Sequence, residues 1–249
     1  MRRAWPIIAL AIGLAGCGSG GASSPSATAT SATATSATAT SATATSATAT
    51  TSAAAGPATS TCTAVKVPRP KGAQHLPPPH LTLDPHRTYT VKIVTNCGAF
   101  AFTLDVAQSP KTSASFYYLV KRGFFDGVTF HRVASGFVIQ GGDPTGTGAG
   151  GPGYTVVEAP PKSTQYVLGD VAMAKTQTQP AGASGSQFFI VTAANVTQSA
   201  GLTPDYALLG KVVSGIGVVE KIGSLPTTPP GDGSPTPAVV MSSVTVSTS

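Results

Sequence analysis

From Ser26 to Thr50 the pentapeptide Ser-Ala-Thr-Ala-Thr recurs five times without a break, and this decides where the chain can fold. The repeat offers no large apolar face to bury, so it cannot offset its own ordering entropy and is expected to stay disordered. The next stretch, residues 61–87, is punctuated by proline, with Pro77-Pro78-Pro79 at its centre, and reads as an extended neck. A packed core must therefore come from residues 88–249. Charge narrows the partners: 15 basic against 9 acidic residues give a net +6, without Lys/Arg runs, which argues against nucleic acid as a partner. Lys66, Arg69, Lys71, Arg87 and Lys92 cluster around the neck, which fits either an anionic surface or a solvated linker. His75, His80 and His86 match no metal-ligand spacing, and no metal is expected.

The N-terminus reads as a targeting segment over residues 1–16. Arg2 and Arg3 form a positive start, and Trp5–Leu14 an apolar run well short of the roughly 20 residues that span a bilayer. It ends Leu14-Ala15-Gly16-Cys17, which resembles the lipobox of bacterial lipoproteins; an ordinary secretory peptide that happens to contain a cysteine is the alternative. The resemblance implies cleavage before Cys17, acylation of that cysteine, and a bacterial cell-membrane protein facing outside the cytoplasm. More than one acyl chain would make the anchor stable. Residues 17–60 would then be a tether with a mean reach of roughly 35–40 Å, and its dense Ser/Thr also resembles a glycosylated stalk. With Cys17 lipidated, Cys62 and Cys97 remain, an even pair in an exported chain. A bridge would pin the neck to the loop after the first domain strand; two free thiols are the alternative.

Within residues 88–249 the pattern is mainly β. Tyr89–Thr95 and Phe100–Leu104 alternate around a turn at Asn96-Cys97-Gly98. Ser109-Pro110 marks a helix start, Phe116, Leu119 and Val120 its apolar face, and Gly123 its end. Val128–Val133, Phe137–Gln140, Val171–Ala174, Gln187–Thr192, Tyr206–Val212 and Val239–Val246 read as further strands, with a short helix near Ile216–Ile222 and a Pro-rich loop over Pro226–Pro237. Together they suggest a closed eight-stranded antiparallel barrel with two capping helices. Gly146, Gly148 and Gly151 formally satisfy G-x-G-x-x-G. Pro152-Gly153 follow where a helix should open, so the stretch reads as a mobile loop and not a dinucleotide site. Asn195-Val196-Thr197 is an idle sequon.

The chemistry concentrates in Phe130–Asp143, Phe-His-Arg-Val-Ala-Ser-Gly-Phe-Val-Ile-Gln-Gly-Gly-Asp. Arg132 lies inside an apolar strand, and Gln140 follows on the strand after the turn. Alternation puts Val138 and Gln140 on one face, so pairing of the strands can bring Gln140 to the guanidinium. An arginine held this way is a rigid donor fork. Ser184 and Ser186 have only His131 as a candidate base, and no nucleophile elbow occurs. The second stretch is Ser184-Gly185-Ser186-Gln187-Phe188-Phe189-Ile190.

Together the Phe-His-Arg, Phe-x-x-Gln-Gly-Gly-Asp and Gly-Ser-Gln-Phe-Phe-Ile strands closely resemble the cyclophilin family of peptidyl-prolyl isomerases, over about residues 88–246. The resemblance implies the barrel fold and a membrane-tethered enzyme acting on proline-containing segments of exported polypeptides, as a monomer and without a cofactor. It assigns Arg132 to catalysis, with Gln140 orienting it. A proline pocket of Phe137, Val138, Phe189 and Leu202 follows, edged by Tyr206, with Gln187 and the backbone of Ala174 and Lys175 holding the peptide. Phe188 is better read as core. Val138, Lys175 and Tyr206 stand where the family often has methionine, asparagine and histidine, and Gly201 replaces a tryptophan before Leu202. Altered peptide preference and weak inhibition by cyclosporin, the family's macrocyclic inhibitor, follow from those departures. A catalytically weak chaperone or peptide-binding module on the same fold is the alternative function. A stalked adhesin or scaffold explains the tether but leaves the Arg132–Gln140 pair idle.

Overall fold

The computed structural model describes residues 62–249; the leader, Cys17 and the repeat lie outside the described residues. β1 (Tyr89–Thr95) and β2 (Gly98–Leu104) form the first hairpin. Tyr89, Val91, Ile93 and Thr95 of β1 are buried, as alternation requires of a strand with one covered face. Helix α1 (Pro110–Lys121) buries Phe116, Leu119 and Val120. Its start differs from the sequence expectation. The Ser109 side chain makes no cap hydrogen bond; instead the Glu158 carboxylate accepts from the Lys111 N–H at 3.2 Å and the Thr112 N–H at 2.9 Å. A distant anion thereby supplies what a local cap would, at the positive end of the helix dipole. Gly123, at φ +62°, closes the helix in the left-handed conformation that glycine adopts without a steric penalty.

The chain continues through β3 (Thr129–Phe130), β4 (Arg132–Ala134), β5 (Val138–Gly141), β6 (Val156–Val157), β7 (Asp170–Met173), β8 (Ala183–Ser184) and β9 (Phe188–Val191). A one-turn helix α2 (Val196–Ala200), β10 (Leu208–Ser214), α3 (Ile216–Gly223), the hairpin β11 (Thr227–Thr228) and β12 (Asp232–Pro235), and a long β13 (Val239–Thr248) complete it. Among the described residues, 11 strands form one curled antiparallel sheet in the order β11-β12-β4-β5-β9-β7-β10-β2-β1-β13-β3. The expected closed eight-stranded barrel is not what these ladders make; the sheet is open. The strand expected over Val128–Val133 breaks at His131, so β3 pairs with β13 while β4 pairs with β5. One short segment thus serves one edge of the sheet through β3 and the far side through β4 without a ladder joining them, and the β11–β12 hairpin adds outside β4. That hairpin and α2 are elements the sequence analysis leaves as loop.

The interior of the curl is aromatic. Phe116 stacks on Phe125 with centroids 4.7 Å apart, and Phe188 meets Phe116, Phe125 and Phe130 edge-on, the geometry ring quadrupoles favour. Phe188 is therefore core, as expected, while Phe189, the next residue, faces the other way into a separate cluster.

The neck is held at several points along its length. Cys62 and Cys97 form a disulfide, the Thr63 N–H donates to the Asn96 carbonyl at 3.0 Å, and Asn96 Nδ2 returns a bond to the Thr63 carbonyl at 2.6 Å. Further on, the Lys71 N–H reaches the Pro144 carbonyl and the Leu76 N–H the Pro152 carbonyl, each at 2.8 Å. The Lys71 ammonium donates to the Gly123 and Phe124 carbonyls, and Leu83 is buried in the core. A Cβ at Gly153 would fall 2.6 Å from the Gln74 carbonyl oxygen, so glycine is what lets the two segments approach. The stretch expected as an extended neck is a strap laid along the domain.

The Cys62–Cys97 bridge spans 35 residues, and closing a loop of that size should contribute about 3–4 kcal/mol through the unfolded chain. Replacing both cysteines with serine should lower the unfolding free energy in urea by that order, with an equal or somewhat steeper denaturant slope because the uncrosslinked unfolded chain can expand. A loss below about 1 kcal/mol would show that the strap's other contacts make the bridge redundant.

Candidate active site

The site is assembled across β4, β5 and β9 by register. Arg132 on β4 lies opposite Gln140 on β5, and Gln140 lies opposite Phe189 on β9. Because directly opposed residues share a face, the three side chains stand in one row on the outer surface of the sheet. Arg132 Nη1 donates to Gln140 Oε1 at 3.1 Å. Gln140 Nε2 donates to Gln187 Oε1 at 3.1 Å. Gln187 Nε2 donates in turn to the carbonyls of Gly148 at 3.0 Å and Gly150 at 2.9 Å. The chain of amides therefore ends in the glycine-rich loop, whose backbone is fixed by Asp143. That carboxylate accepts from the Thr145 N–H, the Thr145 hydroxyl and the Gly148 N–H. Burial alone would raise the Asp143 carboxyl, but the Thr145, Gly150 and Gly148 hydrogen bonds outweigh it and hold it below the ordinary carboxylate range. The loop expected to be mobile is pinned at its root.

Beside this polar row lies an apolar groove. Val138, Phe189 and Leu202 are buried together with Tyr166, and Phe137, Ala174 and Tyr206 pack against them half-buried. Phe189 and Tyr206 meet edge-on at 5.4 Å. The Lys175 ammonium lies 5.4 Å over the Tyr206 ring, a cation–π contact. The Ala174 N–H is already given to the Gln187 carbonyl at 2.9 Å, which removes that donor from any peptide-holding role. All the expected groove residues are thus brought together. Cys62 and Cys97 serve the strap, and Cys17 lies outside the described residues.

The remaining candidates have structural partners. Ser184 donates to the Gly182 carbonyl and Ser186 to the Gly142 carbonyl, so neither addresses His131. His131 is kept below its ordinary pKa mainly by burial, partly opposed by Asp143 and reinforced by Arg132. In the sequon, Asn195 caps α2 through the Gln198 N–H, and the Thr197 hydroxyl accepts from the Tyr166 N–H.

Sequence reasoning missed two residues. Tyr166 is fully buried beneath the groove, its hydroxyl donating to the Tyr206 carbonyl at 2.6 Å and accepting from the Tyr206 N–H at 3.1 Å. It sits in a stretch with no period to mark it. Asp232 pairs with Arg132: Oδ1 accepts from Nε and Oδ2 from Nη2, both at 2.7 Å. It comes from a Gly-Asp-Gly in the Pro-rich loop, 100 residues away, where only the fold could connect the two.

A buried-edged apolar groove beside an amide-oriented arginine, on a curled antiparallel sheet, is matched by comparison with known proteins. The family model for cyclophilin type peptidyl-prolyl cis-trans isomerases matches residues 90–246. The chain belongs to the cyclophilin family of peptidyl-prolyl cis-trans isomerases. A peptidyl-prolyl cis-trans isomerase of Helicobacter pylori is 34% identical over 154 residues, 56% of this chain and 90% of that one. A probable peptidyl-prolyl cis-trans isomerase A of Mycobacterium bovis is 35% identical over 184 residues, 67% of this chain and 97% of its own. A crystal structure of a cyclophilin type isomerase from Cryptosporidium parvum superposes with a TM-score of 0.57 at 30% identity, covering 64% of this chain and 98% of that one. A second structure of that protein was determined in the presence of the dipeptide Ala-Pro.

As a cyclophilin this chain has an unusual rim. Gly201 ends α2 at φ +64°, and a Cβ there would meet nothing within 4 Å. No side chain fills the space before Leu202 where the family often carries tryptophan. Losing even ~80 Å² of apolar contact at roughly 25 cal/mol/Å² is about 2 kcal/mol, more than tenfold in affinity. Cyclosporin should therefore inhibit poorly. Gly201→Trp should recover part of that affinity while costing about 1–2 kcal/mol of stability, because the backbone there is left-handed. Nanomolar inhibition of the unmodified protein would show that another residue fills the rim.

Proposed function

We propose that this cyclophilin is a membrane-tethered isomerase of exported polypeptides in which Arg132 stabilises the twisted X-Pro amide. Rotation about that bond must cross roughly 18–20 kcal/mol because the amide is conjugated. The barrier falls when the prolyl nitrogen leaves conjugation and becomes pyramidal, since its lone pair can then accept a hydrogen bond. A donor fixed in position favours that state over either planar ground state. The observation that carries the reading is the Arg132–Gln140 hydrogen bond at the edge of the groove of Val138, Phe189 and Leu202. With the proline ring in the groove, the guanidinium is the cation at hand, and Gln187 and the glycine-loop carbonyls keep Gln140 aimed at it. Phe137 and Tyr206 would edge the ring, and the Ala174–Lys175 backbone would border the peptide. No nucleophile is required.

The location rests on the leader and on Cys17, followed by the Ser-Ala-Thr-Ala-Thr repeat, whose composition suits a tether. The Cys62–Cys97 disulfide supports a compartment more oxidising than the cytoplasm. A lipid anchor outside the cytoplasmic membrane would hold the isomerase near polypeptides as they emerge, on a leash long enough to follow them.

Arg132→Ala should cut kcat/KM for X-Pro isomerisation by about two orders of magnitude, roughly 3 kcal/mol of transition-state stabilisation. A folded variant turning over at the wild-type rate would remove Arg132 from the mechanism.

Detergent-phase partitioning tests the anchor. Wild-type protein from a bacterial host should enter the detergent phase and Cys17→Ser should not. Wild type found in the aqueous phase sinks the lipid-anchor reading and leaves the isomerase untouched.

A further inference from the structure

Asp232 is set against Arg132 by the backbone of its own hairpin. It opens β12, which pairs with β4 in the register Asp232↔Ala134 and Gly233↔Val133. Its side chain therefore shares a face with those of Ala134 and Arg132, within diagonal cross-strand reach. The neighbouring Gly231 carbonyl accepts from the Ser135 N–H at 2.9 Å, and Ser234 donates to the His131 carbonyl at 3.2 Å. At Gly233 a Cβ would collide with the Thr228 carbonyl carbon and oxygen, so the β11 and β12 backbones can lie this close only with glycine there. Hairpin, register and flanking bonds together place the carboxylate against the guanidinium.

The contact is bidentate, with both carboxylate oxygens on the Nε and Nη2 side of the fork. A guanidinium has five N–H donors. Two face Asp232 and one faces Gln140, which leaves one on Nη1 and one on Nη2 for substrate. The paired donors are one of the two edges on which a carboxylate can dock bidentately, and on the other edge one Nη1 donor is already committed to Gln140. An incoming anion would have to displace Asp232 or accept the repulsion of a like charge at the same cation. The neutral prolyl nitrogen asks for a single donor and meets no such competition.

We propose that Asp232 is a specificity-determining residue: by occupying the bidentate face of Arg132 it keeps carboxylates off the isomerase site. A proline bearing a free carboxylate then gains nothing from the cation, and neither does an acidic side chain beside the proline on the Arg132 side; X-Pro bonds inside neutral or basic segments are served as well. The inference rests on the reading of Arg132 as the group that meets the substrate.

The experiment uses two probes, the dipeptide Ala-Pro and its C-terminal amide, titrated by calorimetry or NMR against wild type, Asp232→Asn, Asp232→Glu and Arg132→Ala. Wild type should bind the two probes within about threefold of each other, since exposed charges are screened. Asp232→Asn should tighten Ala-Pro at least tenfold, about 1.4 kcal/mol, and leave the amide within about twofold. Asp232→Glu should keep the wild-type ratio, because it restores the charge. A merely structural role would move both probes together, and that outcome overturns the proposal. So does wild type already preferring the free carboxylate, or an Asp232→Asn protein with an unchanged ratio. Arg132→Ala separates the two readings. If it isomerises at the wild-type rate the Arg132 mechanism fails, whereas an inactive Arg132→Ala beside an unchanged Asp232→Asn ratio sinks the exclusion role alone.

Discussion

The two-residue period of β9 is the constraint on which the molecule depends. Phe188 closes the aromatic core against Phe116, Phe125 and Phe130, and Phe189 lines the groove next to Tyr206. One strand thus supplies the core with one face and the site with the other. Its register against β5 sets Gln140 opposite Phe189, and the register of β5 against β4 sets Arg132 opposite Gln140. A slip of one residue would send Phe189 inward and Phe188 into the groove. The core, which buries Phe188 completely, therefore holds the site in alignment: burial energy on one face is what fixes polar geometry on the other.

The polar side of the site is held from further away. Arg132 leans on Gln140, Gln140 on Gln187, and Gln187 on two carbonyls of the glycine loop. That loop is pinned by the Asp143 carboxylate from within and by the strap at Pro144 and Pro152 from outside. The strap is fastened in turn by Cys62–Cys97. A segment that composition marks as linker is continuous, through hydrogen bonds, with the arginine. Each step is modest alone, since a hydrogen bond contributes about 1 kcal/mol net. Their joint effect is positional: the fork is presented in one orientation.

Electrostatically the site is more balanced than its sequence implies. A lone arginine on an apolar strand reads as an unpaired cation, yet Asp232 meets it with both oxygens, and the second cation, Lys175, stands over Tyr206 on the groove's rim. The left-handed turn at Gly231, with φ +84°, and the tight approach at Gly233 let this irregular loop pair with β4 and bring the carboxylate to the arginine.

Much of this was legible in one dimension, because local rules govern it. Alternation located β1, β5, β9 and β13 to within a residue or two, the apolar face of α1 named Phe116, Leu119 and Val120, and the shared face of Val138 and Gln140 pointed at Arg132. Three familiar strand motifs carried the family, and with it the groove residues. What alternation cannot carry is a partner distant along the chain. Glu158 in place of Ser109 at the start of α1, Tyr166 beneath Tyr206, and Asp232 on Arg132 are side chains whose roles arise only when sheet pairing folds remote segments together. The open sheet is a decision of the same kind: Val128–Val133 has the pattern of one strand, and its division at His131 depends on which neighbours lie on either side. Local periodicity by itself determined most of the longer strands, and the resemblance of the motifs carried the family and the donor fork; the tertiary structure alone decided what that fork is paired with, because charge pairing acts through space and not along the chain.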